Sequence, residues 1–457
     1  MKKLFCILVV LLACPLAVMP AAAQQCGIPA DANSDGNLTQ EELASAIVSY
    51  MLGGGDLKLE DLRDAAFIYA YWTPETAGNF TLTVFGNANG DDTIDVRDLI
   101  YIREVISGKK PWTELADANY DGEINRLDVA QTKLIILGRE KEITVLDSAN
   151  RTVTVKEPVG RIVVTDDNQA EFIRLLGAER KVVGIERSIP ERGYFPVMSD
   201  KPQVGNQWSG LNYELILELN PDVVIALASP APIEPVEKLG EVGITAVCVD
   251  TIDFDKRANV IMLLGYVLGE KERAREYVEW REEKLGIIRE RLKDVAEEDK
   301  PKTLFKDTGF RGVFGKDYVM SKTLEMAGMK NICPGRRMEF DPEWVIANNP
   351  DIILLGDWES EYVGYKINNS ARASEDVKEE TEVPGFENIT AVKNGDVYEV
   401  DYMLLGTRGD IGVFYLAKVA YPEKFKDIDP VEIHREYFEN WLRVDYQGIF
   451  LYPHTWK

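Results

Sequence analysis

The chain has 457 residues, 45% of them apolar, enough for about two to four domains with sizeable cores. Its 77 Asp and Glu against 52 Lys and Arg leave a net charge of −25, which argues against nucleic acid and anionic membrane surfaces as partners. Only two histidines occur, His434 and His454, so a His-rich zinc or iron cage is excluded and a Ser-His-Asp centre would have to use one of them.

Lys2 and Lys3, the apolar run Leu4–Val18 and the small-residue site Ala21-Ala22-Ala23 form the parts of a secretory signal, so residues 1–23 are expected to be removed on export. Leu11-Leu12-Ala13-Cys14 leaves lipid attachment at Cys14, and hence a membrane tether, as the alternative. No other segment reaches the ~18 unbroken apolar residues of a membrane span. Cleavage leaves Cys26, Cys248 and Cys333, too few for a disulfide framework, and Cys248 inside the apolar run Ala246–Val249 reads as a buried thiol.

Residues 27–138 hold 19 acids against 8 Lys and Arg, and the acids are periodic. A hard cation such as calcium needs six to eight oxygens, and a twelve-residue loop supplies them at fixed intervals with Gly at the sixth position. Asp31, Asn33, Asp35, Asn37, Thr39 and Glu42 fit that spacing, with Gly36 at six. Asp117, Asn119, Asp121, Glu123, Asn125 and Asp128 repeat it, with Gly122 at six and Asp at twelve. A third copy, Asn87, Asn89, Asp91, Thr93, Asp95 and Asp98, departs at two points, Asn87 for the first acid and Asp92 for the Gly, and is expected to be the weakest. Two to three calcium ions are therefore expected. Short helices Leu99–Ser107 and Val129–Leu137 should follow the last two loops, each ending before a Gly, and a ligand-free remnant at Gly55–Leu62 should partner the first loop.

This tandem, with loops starting 30 residues apart and Asp at position twelve, resembles a dockerin over 87–138 and more loosely over 27–72. The resemblance implies a small all-α module that plugs into a cohesin domain on a surface protein through its helix faces. The positions such a partner reads would be Val96-Arg97 and Arg126-Leu127.

After a charged stretch, Ile143–Val155 reads as two strands around a polar turn, with 139–146 as linker and first strand. Strand and helix patterns then alternate: strands Arg161–Thr165, Val182–Ile185, Val223–Leu227 and Thr245–Val249; helices Ala170–Leu176, Tyr213–Leu219 and Glu234–Val242. That alternation calls for a parallel sheet with helices on both faces, an α/β lobe over 147–255. Residues 256–298 read as one long proline-free helix, and a second α/β lobe over 299–457 restarts at Thr303. Two stretches echo each other 129 residues apart, Glu214-Leu-Ile-Leu-Glu-Leu-Asn-Pro-Asp222 and Glu343-Trp-Val-Ile-Ala-Asn-Asn-Pro-Asp351. In each, a short helix is stopped by Pro and followed by a buried strand.

From about 143 to 453 the chain resembles the substrate-binding proteins of ABC importers for iron-siderophore complexes and cobalamin. The resemblance rests on Thr152-Val-Thr-Val with Arg161-Ile-Val-Val, Leu211-Asn-Tyr-Glu214 with Asn-Pro-Asp-Val-Val-Ile, Pro384-Gly-Phe-Glu-Asn-Ile-Thr-Ala-Val-Lys-Asn-Gly, and Gly406-Thr-Arg408-Gly-Asp-Ile-Gly. It implies two doubly wound lobes joined by a rigid helix, no catalysis, and Glu214 and Glu343 as the carboxylates that meet arginines of the permease. The ligand, a ferric siderophore, haem or cobalamin, should lie between the lobes at the strand ends. Trp208 sits where cobalamin-binding relatives carry a cleft tryptophan. Arg187, Arg192, Tyr194, Phe195, Phe310, Arg311, Arg336, Arg337, Trp358 and Arg408 are the other candidates, since arginines with aromatics suit a large anionic chelate. A dockerin-tethered enzyme or a structural surface module is the competing reading, although no Gly-x-Ser-x-Gly or His-Glu-x-x-His occurs. Sequons at Asn79, Asn150, Asn368 and Asn388 could carry glycans.

Overall fold

The computed structural model describes residues 28–54, 56–72, 80–308, 312–358 and 360–453. The signal sequence with Cys14, Cys26, the Asn79 sequon, Phe310, Arg311 and His454 lie outside the described residues. The chain divides into two compact units: the first runs to Leu146 and takes back Thr152–Glu157, and the second holds Asp147–Arg151 and everything from Pro158 onward.

The first unit contains helices α1 (Gln40–Met51), α2 (Leu59–Tyr71), α3 (Val96–Ile106) and α4 (Arg126–Leu137), and strands β1 (Glu142–Leu146) and β2 (Thr152–Lys156). Helices α3 and α4 begin three residues before the expected Leu99 and Val129 because Asp95 and Asn125 cap them, accepting from Arg97 N and Leu127 N. The twelfth-position acids complete the capping boxes: Asp98 accepts from Asp95 N at 2.8 Å and Asp128 from Asn125 N at 2.7 Å. Of the expected remnant, residues 59–62 form the first turn of α2, whose Ile68 shares a core with Val96, Leu99, Ile102 and Val129. Asp64 of α2 also takes Arg103 of α3 and Lys133 of α4. The unit is not all-α as expected. Val84 bridges Val145, and Phe85 N donates to Thr144 O at 2.9 Å, so the antiparallel β1–β2 hairpin belongs to this unit rather than to a linker and the next lobe.

In the second unit the first lobe carries β3 (Ile162–Val164), α5 (Asp167–Leu175), β4 (Val182–Gly184), α6 (Ile189–Arg192), the hairpin β5 (Gly205–Asn206) and β6 (Gly210–Leu211), α7 (Tyr213–Leu219), β7 (Val223–Leu227), α8 (Glu234–Glu241) and β8 (Ala246–Val249). The sheet is parallel throughout in the order β4-β3-β7-β8, and β7 and β8 are buried on both faces, as their continuous apolar runs require. Cys248 is buried in β8, its thiol pushed up to about 12 by burial.

The expected single helix over 256–298 is two, α9 (Arg257–Val267) and α10 (Lys271–Leu292). Gly269, at φ +70°, turns the chain between them, and Gly265 lets them pack so closely that a Cβ there would lie 2.5 Å from Ala274 Cβ. The second lobe follows with β9 (Lys302–Asp307), β10 (Gly312–Phe314), α11 (Ser321–Met326), β11 (Lys330–Asn331), β12 (Arg337–Glu339), α12 (Pro342–Asn348), β13 (Ile352–Asp357), α13 (Ala371–Thr381), α14 (Thr390–Asn394), β14 (Val397–Asp401), α15 (Tyr402–Leu405), α16 (Gly409–Ala420), α17 (Pro430–Glu436) and β15 (Leu451–Tyr452). Its sheet is mixed rather than doubly wound throughout: β9, β13 and β14 are parallel, and β10, β12 and β15 add antiparallel edges.

The lobes are braced by buried charge. Asp410 of α16 accepts from Arg257 at 2.7 Å, Arg281 at 2.9 Å and Tyr277 OH at 3.2 Å, and the two guanidiniums hold its carboxyl below the ordinary range against the effect of burial.

Candidate functional site

Parallel strands put all their C-terminal ends on one edge, and α/β sheets bind ligands there. In the first lobe that edge carries Thr165-Asp166-Asp167 after β3 and Glu186-Arg187 after β4; in the second, β13 and β14 end in Asp357 and Asp401, followed by Trp358 and Tyr402. Arg192 ties the two edges together. Its Nε donates to Asp167 at 2.6 Å in its own lobe, and its Nη1 and Nη2 reach Ser360 Oγ at 3.1 Å and Tyr402 OH at 3.4 Å in the other. The ring of Tyr402 stacks on Trp358 with centroids 4.7 Å apart, and Trp358 meets Phe314 at 5.6 Å.

The remaining candidates separate by burial. Arg408 is buried, its fork spent on both oxygens of Glu171 at 2.8 Å each. Glu171 also accepts from Tyr437 OH at 2.6 Å, and Tyr194 and Phe438 lie over the Arg408 guanidinium. Arg408 is therefore an interlobe brace and not the cleft contact expected of it. Tyr194 and Phe195 are buried in the same cluster, packed ring to ring at 4.4 Å. Trp208 is different: it is 58% exposed at the tip of the β5–β6 hairpin. Arg187 is exposed, 3.9 Å from Glu186. Arg336 and Arg337 are also exposed, the latter over the Phe314 ring at 5.2 Å.

The acids at the strand ends are not among the arginines and aromatics that the sequence marks out. Burial first, then Asp167 and Glu186, push the Asp166 carboxyl up to about 7; burial, with Asp357 beside it, does the same to Asp401. The signal was available, since β3, β9, β13 and β14 all run into Asp at the same end.

Glu214 and Glu343 each occupy the second position of their helices, α7 and α12, and both are exposed without an ion pair among the described residues. Asn212 and Asp341 cap the two helices, and Asn220 and Asn349 end them in the left-handed region at φ +43° and +46°.

In the first unit the loops close on themselves. Gly36 N and Gly122 N donate to Asp31 and Asp117 at 3.0 and 2.9 Å; Asn37 N, Thr93 N and Glu123 N donate to Asp35, Asp91 and Asp121 at 2.8 to 3.0 Å. Asn89 N and Asn119 N reach across to Asp98 and Asp128, while Thr39 and Glu42 form a capping box. Asn33 Oδ1 accepts from Asp35 N at 2.9 Å. The first-position oxygens Asp31 Oδ1 and Asn87 Oδ1 are buried with no hydrogen-bond donor. Among the described residues no three His, Cys, Asp or Glu side chains converge closely enough to hold a metal by themselves. Of the positions expected to be read by a cohesin, Val96 is buried and Arg97 is bound to Asp95, whereas Leu127 is 59% exposed and Arg126 pairs with Glu60.

Two α/β lobes that meet at their strand ends, tied there by Arg192, form the frame in which a solute would be held between them. A family model described as periplasmic binding protein matches residues 162–403, and the chain belongs to that family. It is a binder and not an enzyme. The molybdate-binding protein MolA of Haemophilus influenzae is 23% identical over 337 residues, 66% of this chain and 92% of MolA. A vitamin B12-binding protein of Yersinia pestis is 24% identical over 172 residues, 36% of this chain and 60% of that protein. The solved structure of MolA bound to molybdate superposes with a TM-score of 0.56 at 21% identity, covering 67% of this chain and 99% of MolA. The TroA-like periplasmic binding protein FepB from Veillonella parvula gives 0.58 at 23%, covering 67% and 98%. Among the described residues no helix is long and apolar enough to cross a membrane.

Proposed function

We propose that the chain captures a metal chelate, a ferric siderophore in the first instance, and presents it to an ABC permease that reads Glu214 and Glu343. The observation that carries this reading is the pair of matched, exposed and unpaired glutamates on equivalent helices of the two lobes. A bidentate carboxylate–guanidinium contact on each lobe would set the permease squarely over the cleft. A chelate is favoured over a bare oxyanion of the kind bound to MolA because the strand ends are lined by the carboxyl groups of Asp166, Asp167, Glu186 and Asp401, and Arg192 beside them is already spent on Asp167. The exposed Arg187, Arg336 and Arg337 suit the anionic periphery of a larger ligand. Native mass spectrometry of the protein from its own source, followed by titration with ferric siderophores, haemin, cobalamin and molybdate, tests the cargo. Binding of molybdate alone overturns the chelate reading. Reversing Glu214 and Glu343 to Arg should abolish permease stimulation while leaving ligand affinity unchanged; unchanged stimulation removes the docking role.

The N-terminal loops form the second half of the proposal: calcium holds them, and the module attaches the protein to a cohesin-bearing surface partner. The donorless oxygens of Asp31 and Asn87 fit a first ligand. The acids do not converge by themselves, so coordination would lean on Asn33, Asn89 and Asn119, on Thr39, Asp95 and Asn125, and on the main-chain oxygens of Asn37, Thr93 and Glu123. Calorimetry with and without chelator decides it: calcium should raise the unfolding temperature of the first unit and leave the lobes unchanged. A thermogram indifferent to calcium would sink the idea.

A further inference from the structure

The two matched helices share more than their glutamates. Position by position, Glu214 and Glu343 are exposed, Ile216 and Val345 are fully buried, and Leu217 and Ile346 return to the surface, 47% and 36% exposed. An α-helix puts residues i and i+3 on one face and tilts its side chains toward its N-terminus, so Leu217 and Ile346 lie over the turn that carries the glutamate. The next position breaks the match, with Glu218 in one helix and Ala347 in the other, so the surface common to both lobes is a carboxylate with one apolar neighbour. Each helix is firmly seated: Ile216 and Val345 sit in the cores of their lobes, and Asn212 and Asp341 cap the first turns. Ile346 also rests on Gly385, where a Cβ would lie 2.6 Å from its Cδ1. Both helices end against the start of a strand, at Arg161 before β3 and at Lys302 of β9, so their glutamate ends stand at the opposite edge of each sheet, where the lobes meet.

A carboxylate–guanidinium pair in open water contributes little, because water competes for both groups and salt screens them. Excluding water strengthens the pair, and interfaces do this by placing apolar side chains around the polar contact. A single exposed leucine on a surface is ordinary. Here the same kind of residue recurs at the same place beside the same acid in both lobes. We propose that Leu217 and Ile346 are the apolar half of the docking contact, each sealing the ion pair that its glutamate makes. The partner surface that fits has two like halves, each with a guanidinium beside an apolar socket. The proposal rests on the permease reading above and adds to it what the permease must present. Charge alone would admit any basic surface to a chain of net charge −25, and the apolar neighbours supply the discrimination that charge lacks.

The test uses the full chain and the ABC permease of its own source in lipid nanodiscs, and reads the concentration of binding protein that half-saturates ATP hydrolysis. Leu217→Ser and Ile346→Ser should each raise that concentration about tenfold, the scale of burying half an aliphatic side chain. Together they should raise it about a hundredfold, since the two positions lie on different lobes and share no partner. Leu217→Met should restore most of the loss. Within one helix the losses should not add: in a Glu214→Gln background Leu217→Ser should change little further, and in the native background it should steepen the dependence on salt. Val242→Ser is the control, a residue 45% exposed at the end of α8 remote from Pro235, whose carbonyl Tyr213 OH contacts, and it should leave half-saturation unchanged. Unchanged half-saturation in both Leu217→Ser and Ile346→Ser, or an equal loss in Val242→Ser, overturns the proposal. If reversing Glu214 and Glu343 to Arg leaves stimulation intact, or the permease ignores the unaltered chain, the docking reading fails and the seal with it. If that reversal abolishes stimulation while the serine variants match the unaltered chain, only the apolar seal fails.

Discussion

The two lobes present the same helix, α7 in one and α12 in the other, but anchor it unequally. In the first lobe Asp222 accepts from both Gly160 N and Arg161 N at 2.8 Å, and the Arg161 guanidinium reaches back to the last carbonyls of α7, Leu219 O and Asn220 O. In the second, among the described residues Asp351 accepts from Lys302 N alone, at 2.9 Å, and Lys302 Nζ caps α12 through Asn348 O at 2.8 Å. The comparison teaches what the repeated Asn-Pro-Asp is for. Asn supplies the left-handed stop, Pro prevents continuation, and Asp staples the helix end to the start of the first strand, so the motif is consumed by the fold. The glutamates ahead of it are not, and that is why they are available to a partner.

Breaking what joins the lobes should have the largest effect. Glu171→Ala leaves the buried Arg408 guanidinium with only the longer 3.6 Å pair to Asp401, and the expected loss is about 3–5 kcal/mol of unfolding free energy, read by denaturant titration of the full chain. A loss no greater than that of an exposed charge substitution would mean that the lobes are held together elsewhere.

The pH dependence compares the cleft-facing edges. Asp166 in one lobe and Asp401 in the other keep their protons in the folded state up to about 7, whereas the unfolded chain releases them near the ordinary carboxylate value. Between those limits the folded protein binds more protons, so this contribution to stability is fully present below about pH 4 and declines as the pH rises toward 7. Melting temperature measured across that window should carry this downward component, and Asp401→Asn should flatten it; an unchanged pH profile in that variant would show that Asp401 ionises freely.

The smallest effect sharpens the comparison of α7 with α12. Asp222→Ala removes the acceptor for two backbone donors and Asp351→Ala for one, so the first should cost about 1 kcal/mol more than the second by denaturant titration. Equal costs would mean that Arg161 and Lys302, rather than the aspartates, carry the anchoring.

Much of this was local and therefore legible. The spacing of Asp, Asn and Gly fixed three loops, because a twelve-residue turn with a capping box is specified by its own residues, as Asp98 and Asp128 show by closing loop and helix together. Helix α7 and strand β7 fall at their expected bounds because Pro221 and a β-branched run punctuate them. The break at Gly269 was not legible, since a proline-free helical pattern runs through it and only the packing of Gly265 on Ala274 makes the turn favourable. Nor was the fate of the arginines. An arginine in sequence is a charge without a partner; Glu171, 237 residues from Arg408, turned one into a buried brace, while nothing among the described residues neutralised Arg336. Sequence determined the elements and the motifs that cap them, because those energies are local, and tertiary structure alone decided which charged groups were spent on the fold and which were left for a ligand.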